Sequence, residues 1–122
     1  MRHAFIADDE AGIRTIIRKV AEMCDFAVTE CADGSQLLGS LSQAKNDSLI
    51  FLDMQMPEMD GIETVSELAN LPQSCTIYLM TGGSEINAQA AKAIGIVRGL
   101  NIADTLSKPI PLQRLREIFE TA

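Results

Sequence analysis

The chain has 122 residues, and 47% of them are apolar. This length suits one domain with a hydrophobic core, and the composition argues against disorder. The formal net charge of −7 argues against direct binding to nucleic acid or to an anionic membrane. No apolar window approaches the length of a membrane span, and acidic residues 8–10 precede any long apolar run, unlike a signal peptide. We therefore expect one soluble, cytoplasmic domain over residues 1–122.

Three cysteines, Cys24, Cys31 and Cys75, are widely spaced and form no CxxC pair. An odd number of separated cysteines is typical of reduced thiols in a reducing compartment. The single histidine, His3, leaves too few soft ligands for a zinc site.

The first elements are a strand and a helix. Residues 3–7 form a short apolar run that ends at Asp8 and Asp9, which predicts a first strand. From Ala11 onward the apolar residues recur at helical spacing. We expect these residues to face inward on a first helix: Ile13, Ile16, Ile17, Val20 and Cys24.

Residues 26–31 alternate as a half-exposed strand does, and the pair Asp33-Gly34 predicts a turn after it. A short second helix follows, with Leu37, Leu38 and Leu41 on its apolar face.

The most informative stretch is residues 49–61. Its apolar residues predict a strand buried on both faces that ends on the carboxylate of Asp53. Pro57 and the pair Asp60-Gly61 are chain-turning signals and predict a loop after the strand. A third helix then carries Ile62, Val65, Leu68 and Ala69.

Residues 75–80 predict a fourth strand that leads into Thr81, and Ser84 is suited to cap a long fourth helix. Gly95 and Gly99 weaken the second half of this helix, so we expect it to fray or end early. Its apolar stripe is predicted to comprise Ile86, Ala90, Ala93, Ile94 and Val97.

Residues 103–107 predict a brief fifth strand, and Pro111 suits the first turn of a last helix. The inward residues of that helix are predicted to be Leu112, Leu115, Ile118 and Phe119. Five successive strand–helix units predict an α/β fold, in which a doubly wound five-stranded parallel sheet, (βα)5, forms a three-layer sandwich with helices on both faces.

Four of the five predicted strands end on polar groups at the same edge of this sheet. These groups are Asp8 and Asp9, Asp53, Thr81 and Lys108. Two carboxylates about 5 Å apart repel by roughly 3 kcal/mol at an effective dielectric near 20. A hard divalent cation such as Mg²⁺ relieves this repulsion, and the lysine offsets part of it.

Carboxylate, cation, hydroxyl and ammonium together form a site for phosphoryl transfer. Asp53 is the best nucleophile by position, because it follows the central buried strand. Each residue alone has an ordinary explanation, such as a turn cap at Asp53 or a helix boundary at Lys108. Their coincidence at one edge carries the hypothesis.

The ordered motifs resemble those of the receiver domains of two-component response regulators. They are IADDE at residues 6–10, LDMQMPEMDG at 52–61, MTG at 80–82 and SKP at 107–109. The resemblance covers essentially the whole chain and implies the CheY-like, flavodoxin-like version of the predicted fold. It also implies that Asp53 accepts a phosphoryl group from a sensor histidine kinase or a histidine phosphotransfer protein.

By the same resemblance, Asp9, Asp53 and the backbone carbonyl of Gln55 bind Mg²⁺ (or Mn²⁺) directly, and Asp8 acts through water. Such a domain promotes only its own phosphorylation and slow dephosphorylation, and is otherwise not an enzyme.

Thr81 and Lys108 are implied to contact the phosphoryl oxygens. The positions that tune hydrolysis in this family fall on Gln55 and Gly83.

The chain departs from the family at its switch. Many receivers have an aromatic residue three positions before the lysine, where this chain has Thr105, so the expected switch pair is Thr81 and Thr105. The segment from Thr81 to Lys108 is also several residues longer than in short receivers. The added length falls around helix four and the connection through residues 99–101. This is part of the face of helix four, strand five and helix five, which the family uses to contact an output domain, an effector protein or a second copy.

Two other functions remain open from the residues. A receiver-like interaction module that works without phosphorylation is motivated by Thr105, although the complete acidic set argues against it. An enzyme on the same topology is the other. A flavin protein would need a hydroxyl-rich loop where residues 8–10 are acidic, and an aspartyl phosphatase would need a second acid at Gln55.

Overall fold

The computed structural model describes residues 2–41, 48–56, 59–70, 75–83 and 85–122, except the side chain of Glu85. Within these ranges five strands and five helices alternate, as the sequence predicts. In chain order they are β1 (His3–Ala7), α1 (Ala11–Met23), β2 (Ala27–Cys31), α2 (Gly34–Leu41), β3 (Ser48–Asp53), α3 (Gly61–Leu68), β4 (Cys75–Thr81), α4 (Glu85–Val97), β5 (Asn101–Ser107) and α5 (Leu112–Thr121). The predicted loop residue Pro57 and the predicted cap Ser84 lie outside the described residues.

The strands form one parallel sheet in the order β2-β1-β3-β4-β5, which confirms the doubly wound topology. The central strand β3 is buried along its whole length, as its apolar sequence predicts. None of the described helices has both the length and the apolar character that crossing a membrane requires.

Side chains of β1 and β3 alternate between two separate cores, one on each face of the sheet. Ala4 and Ile6 pack with Leu49 and Phe51 against α1 and α5. The intervening side chains pack against α2, α3 and α4: Phe5, Ala7, Ile50 and Leu52. Because β1 and β3 are in register, continuing this alternation by one residue places the next side chains, Asp8 and Asp53, on the same face.

The predicted apolar stripe of α4 is wrong at its two ends. Ile86 and Val97 are 76% and 84% exposed, whereas the buried residues of the helix include Ala88 and Ala91. Small residues face inward because α4 lies close to its neighbours. A Cβ added at Gly95, for instance, would lie 2.9 Å from the side chain of Ile102. The close approach favours small residues on the buried face, and Ile94 is the member of the predicted stripe with a large side chain that packs against the core.

The predicted early end of α4 is also wrong. The helix continues through the buried Gly95 to Val97. Gly99 then ends it with a φ of +85°, a left-handed conformation that glycine adopts without strain. The following strand begins at Asn101, two residues before the predicted start.

Two residues on the other face of the sheet, predicted to face inward, are also exposed. Ile16 of α1 and Leu112 of α5 are exposed, while Ile17 and Leu115 beside them are buried. The predicted turn at Asp33-Gly34 leads directly into α2, which begins at Gly34. Asp33 Oδ1 accepts a hydrogen bond from the backbone N–H of Gln36 at 2.8 Å.

We expect Gly61→Ala to destabilise the fold by about 1–3 kcal/mol. A Cβ at Gly61 would lie 2.5 Å from the side chain of Met54 and 2.9 Å from its Cα, so the loop after β3 must shift. Urea unfolding measures the change. The matched control is Gly39→Ala in α2, where a Cβ meets nothing within 4 Å and stability should rise by up to about 1 kcal/mol. Equal stability of Gly61→Ala and the wild type would contradict the close packing.

Candidate functional site

One ammonium group lies between two buried carboxylates at the carboxyl edge of the sheet. The Lys108 Nζ is 2.7 Å from Asp8 Oδ2 and 3.3 Å from Asp53 Oδ1. Both carboxylates are almost fully buried, and the lysine side chain is 13% exposed. The structure thus brings together residues at the carboxyl ends of β1, β3 and β5, as the sequence predicts.

Asp53 ends the central strand. Burial raises the pKa of its carboxyl above the ordinary value, and the charge of Asp8 raises it further. The N–H of Gln55 donates to Asp53 Oδ1 at 3.2 Å, and this hydrogen bond and Lys108 oppose the rise. The remaining upward shift means that the ionised carboxylate is held in an unfavourable environment.

Burial alone would lower the pKa of Lys108. The short contact with Asp8 and the negative charges of Asp53 and Asp8 outweigh burial, so its pKa lies above the ordinary value. The ammonium therefore stays charged and is the only cationic group that the described residues place within 4.0 Å of these two carboxylates.

The two oxygens of the Asp8 carboxylate have different partners. Its Oδ1 accepts a hydrogen bond from the N–H of Glu10 at 2.9 Å. Its Oδ2 is buried and lies near Lys108, but no hydrogen bond of good geometry reaches it within the described part of the chain. This oxygen is paired by charge with the Lys108 ammonium. A buried carboxylate oxygen can also face a metal cation, either directly or through bound water.

Asp8, Asp9 and Glu10 form the acidic cluster of the site. Their carboxylates approach within 4.8 Å of one another, with Asp8 buried and the other two exposed. Oxygen donors of this kind fit Mg²⁺, which keeps several waters and binds through one or two carboxylates. The sequence predicted Asp8 and Asp9 here but missed Glu10, although its place directly after them was visible.

Thr81 ends β4 and is buried. Its hydroxyl accepts a hydrogen bond from the N–H of Gly83 at 3.3 Å, and its carbonyl accepts one from the N–H of Lys108 at 2.8 Å. The latter bond ties the loop after β5 to the end of β4. Thr81 and Lys108 therefore lie on adjoining strand ends.

Thr105 is half-buried on β5, in register with Leu79 of β4. Its N–H donates to the side chain of the preceding residue, Asp104, at 2.8 Å. Gln55 is exposed directly after Asp53 and Met54. The metal-binding role of its carbonyl and the switching role of Thr105 stay predictions.

Residues 4–120 match the model of the response regulator receiver domain family. The chain belongs to this family. It is a receiver domain of a two-component response regulator, and its fold is the CheY-like form of the flavodoxin-like sheet. The resemblance of the four sequence motifs is thereby confirmed.

Individual relatives agree with this assignment. Transcriptional regulatory protein GlnL of Bacillus subtilis is 31% identical over 125 residues, which cover 95% of this chain and 38% of GlnL. Sporulation initiation phosphotransferase F of the same organism is 28% identical over 116 residues, covering 88% of this chain and 93% of that protein. This receiver therefore spans less than half of one relative and nearly all of another.

Among solved structures, the REC domain of AraT, a response regulator from Geobacillus stearothermophilus, is 33% identical to this receiver. The two superpose with a TM-score of 0.78 over 98% of this chain and 90% of that one. Receiver domains generally bind Mg²⁺ at an acidic pocket, and the cluster of Asp8, Asp9 and Glu10 gives this receiver such a pocket.

Removing the charge of Asp53 should stabilise the metal-free receiver. Because the folded-state pKa is raised above the ordinary 3.8, the folded chain holds this proton more tightly than the unfolded chain. Ionisation therefore costs stability: the cost is absent below pH 3.8 and grows as pH rises from there through the folded-state pKa. We expect Asp53→Asn to gain about 1 kcal/mol at pH 7 in EDTA, by urea unfolding.

The gain should vanish at low pH, and Mg²⁺ should reduce it by stabilising the wild type. Asp104→Asn is the control, since Asp104 is partly exposed and pairs with Arg114 at 2.9 Å. Its loss should leave stability unchanged or slightly lower. Destabilisation by Asp53→Asn at pH 7 in EDTA would contradict the raised pKa.

Proposed function

We propose that Asp53 is the phosphoacceptor of this receiver, and that its donor is a phosphohistidine on a sensor histidine kinase or a histidine phosphotransfer protein. The observation that supports this most is the pair of buried carboxylates, Asp8 and Asp53, around the ammonium of Lys108. A purely structural ion pair needs one carboxylate, and a second one adjacent to it raises the energy of the folded state.

In the proposed reaction an oxygen of Asp53 attacks the phosphorus atom in line. The bond from phosphorus to the imidazole nitrogen breaks, and the histidine leaves with the electron pair. The Lys108 ammonium is proposed to hold a phosphoryl oxygen, and the Thr81 hydroxyl is proposed to donate to another.

Mg²⁺ is the proposed cofactor, with Mn²⁺ as a substitute. Asp9, Asp53 and the carbonyl of Gln55 are its proposed direct ligands, and Asp8 acts through water. When bound, the cation neutralises charge on the phosphoryl group. The buried Oδ2 of Asp8 and the exposed carboxylate of Asp9 support this assignment.

The proposed output surface is the face of α4, β5 and α5, through which the receiver contacts an output domain, an effector or a second copy. Exposed apolar side chains on α4, among them Ile86 and Val97, support it. Output domains are consistent with GlnL, a transcriptional regulatory protein of which this chain spans 38%. Thr81 and Thr105 are the proposed switch residues.

We infer a cytoplasmic location, where a kinase would reach the receiver, and no catalysis beyond self-phosphorylation and slow dephosphorylation. The family match does not favour an interaction module that works without phosphate.

The direct test is incubation with acetyl phosphate, Mg²⁺ and the purified chain, followed by intact-mass spectrometry. We expect one phosphoryl group per chain with Mg²⁺ and none in EDTA. Absence of the adduct with Mg²⁺ would contradict the proposal.

A further inference from the structure

Arg14, in the first turns of α1, joins the acidic loop to the end of β2. Its Nη1 donates to the backbone carbonyl of Asp8 at 2.7 Å. Its Nε donates to Glu30 Oε1 at 3.2 Å. The Arg14 side chain is 18% exposed and that of Glu30 is 27% exposed, so this ion pair is largely shielded from water.

The carbonyl that Arg14 holds belongs to the peptide group between Asp8 and Asp9. This group is planar, so holding its oxygen in place restricts the orientation of the backbone at both Asp8 and Asp9. The N–H of Asp8 is already held by the carbonyl of Cys31 at 3.0 Å. With Arg14 in place, the backbone on both sides of the Asp8 Cα is fixed.

Glu30 anchors the guanidinium. Its Oε2 accepts a hydrogen bond from Arg18 at 2.7 Å, while Oε1 accepts from Arg14. The bond from Arg18, and to a lesser extent that from Arg14, lowers the pKa of the Glu30 carboxyl despite its burial. Glu30 therefore stays ionised at neutral pH, and the fork of Arg14 is held at two nitrogens.

We propose that Arg14 is a positioning residue for the cation site: anchored by Glu30, it orients the Asp8–Asp9 peptide and thereby the two carboxylates that meet Mg²⁺. This inference rests on the proposed function, because it concerns the same cation.

A purely electrostatic effect of Arg14 and a positioning role predict opposite changes in Mg²⁺ affinity when Arg14 is removed. Arg14 carries a positive charge near the cation site, so its removal should strengthen Mg²⁺ binding if charge alone matters. If Arg14 positions the carboxylates, its removal should weaken binding in spite of the lost charge. Loss of a group that orients metal ligands typically costs a factor of ten or more in affinity.

The experiment is isothermal titration calorimetry of Mg²⁺ into the wild type, Arg14→Gln and Arg18→Gln. Arg18 is the matched control, because it loses the same charge and contacts the same Glu30 without touching Asp8. We expect the Kd for Mg²⁺ to rise about tenfold in Arg14→Gln and to stay within about twofold in Arg18→Gln. Urea unfolding in EDTA checks that each variant is folded.

Equal or tighter Mg²⁺ binding by Arg14→Gln overturns the positioning role, and so does an equal loss in Arg18→Gln. A wild type that binds no Mg²⁺ overturns the proposed function as well. If Arg14→Gln does not fold, Glu30→Gln and Glu22→Gln give the same comparison. Both remove one negative charge, but only Glu30 contacts Arg14, so only Glu30→Gln should weaken binding; equal affinities overturn the role.

Discussion

An Asp53→Asn variant is expected to take up no phosphoryl group from acetyl phosphate with Mg²⁺, under conditions in which the wild type adds one. The amide lacks the negative charge and the available electron pair with which a carboxylate attacks phosphorus. Asp53 is also the carboxylate at the end of the central, fully buried strand, next to the ammonium of Lys108. Intact-mass spectrometry over a time course measures the uptake.

The control is Asp104→Asn, which removes a carboxylate from β5 that pairs with Arg114. It should be phosphorylated at the wild-type rate. Circular dichroism should show that both variants are folded, and Asp53→Asn is expected to be the more stable of the two. An adduct that forms equally well on Asp53→Asn would mean that another residue is the acceptor.

A large loss of folding stability is expected from Lys108→Ala in the absence of divalent cations. The substitution leaves Asp8 and Asp53 buried beside each other without the ammonium that separates them. Removing one partner of a buried ion pair typically costs several kcal/mol, and the slight exposure of this site reduces the figure. We expect a loss of about 2–3 kcal/mol in urea unfolding at pH 7 in EDTA.

Lys92→Ala is the matched control, because Lys92 is exposed on α4 and its loss should change stability by less than about 0.5 kcal/mol. Mg²⁺ should restore much of the loss in Lys108→Ala, since the cation supplies positive charge to the same carboxylates. The cost should also be smaller in an Asp53→Asn background, where one repelling charge is gone. A Lys108→Ala variant as stable as Lys92→Ala would contradict the electrostatic account.

The sheet and the core of the site were predictable because they depend on the order of elements. Short apolar runs alternate with helical periods, and parallel strands end at one edge. The motifs at that edge are therefore enough to predict that Asp8, Asp53 and Lys108 lie together.

The buried face of α4 was not predictable from hydrophobicity. Ile86 and Val97 are large and apolar and fall at helical spacing, so they are expected to face inward. The helix instead buries Ala88, Ala91 and Gly95, and a Cβ added at Gly95 would lie only 2.9 Å from the side chain of Ile102. The distance between two elements depends on the packing of the whole domain, which a single helix does not encode.

The contacts of Arg14 were not predictable from the sequence either, because they depend on the folded geometry. On the helical pattern it is one of several charged residues off the apolar face of α1. Its contacts join a carbonyl of the acidic loop to Glu30, sixteen residues further along the chain. A backbone acceptor leaves no signal in the sequence, so only the folded geometry reveals the link.

The central claim is tested most directly by locating the phosphoryl group. The receiver is incubated with acetyl phosphate and Mg²⁺, reduced with borohydride, which converts an aspartyl phosphate to homoserine, and digested for tandem mass spectrometry. Homoserine at position 53, present only when phosphodonor and Mg²⁺ are both added, is the predicted result. Homoserine at position 8 or 9, or at another acid instead of Asp53, would contradict the assignment of Asp53 as the phosphoacceptor.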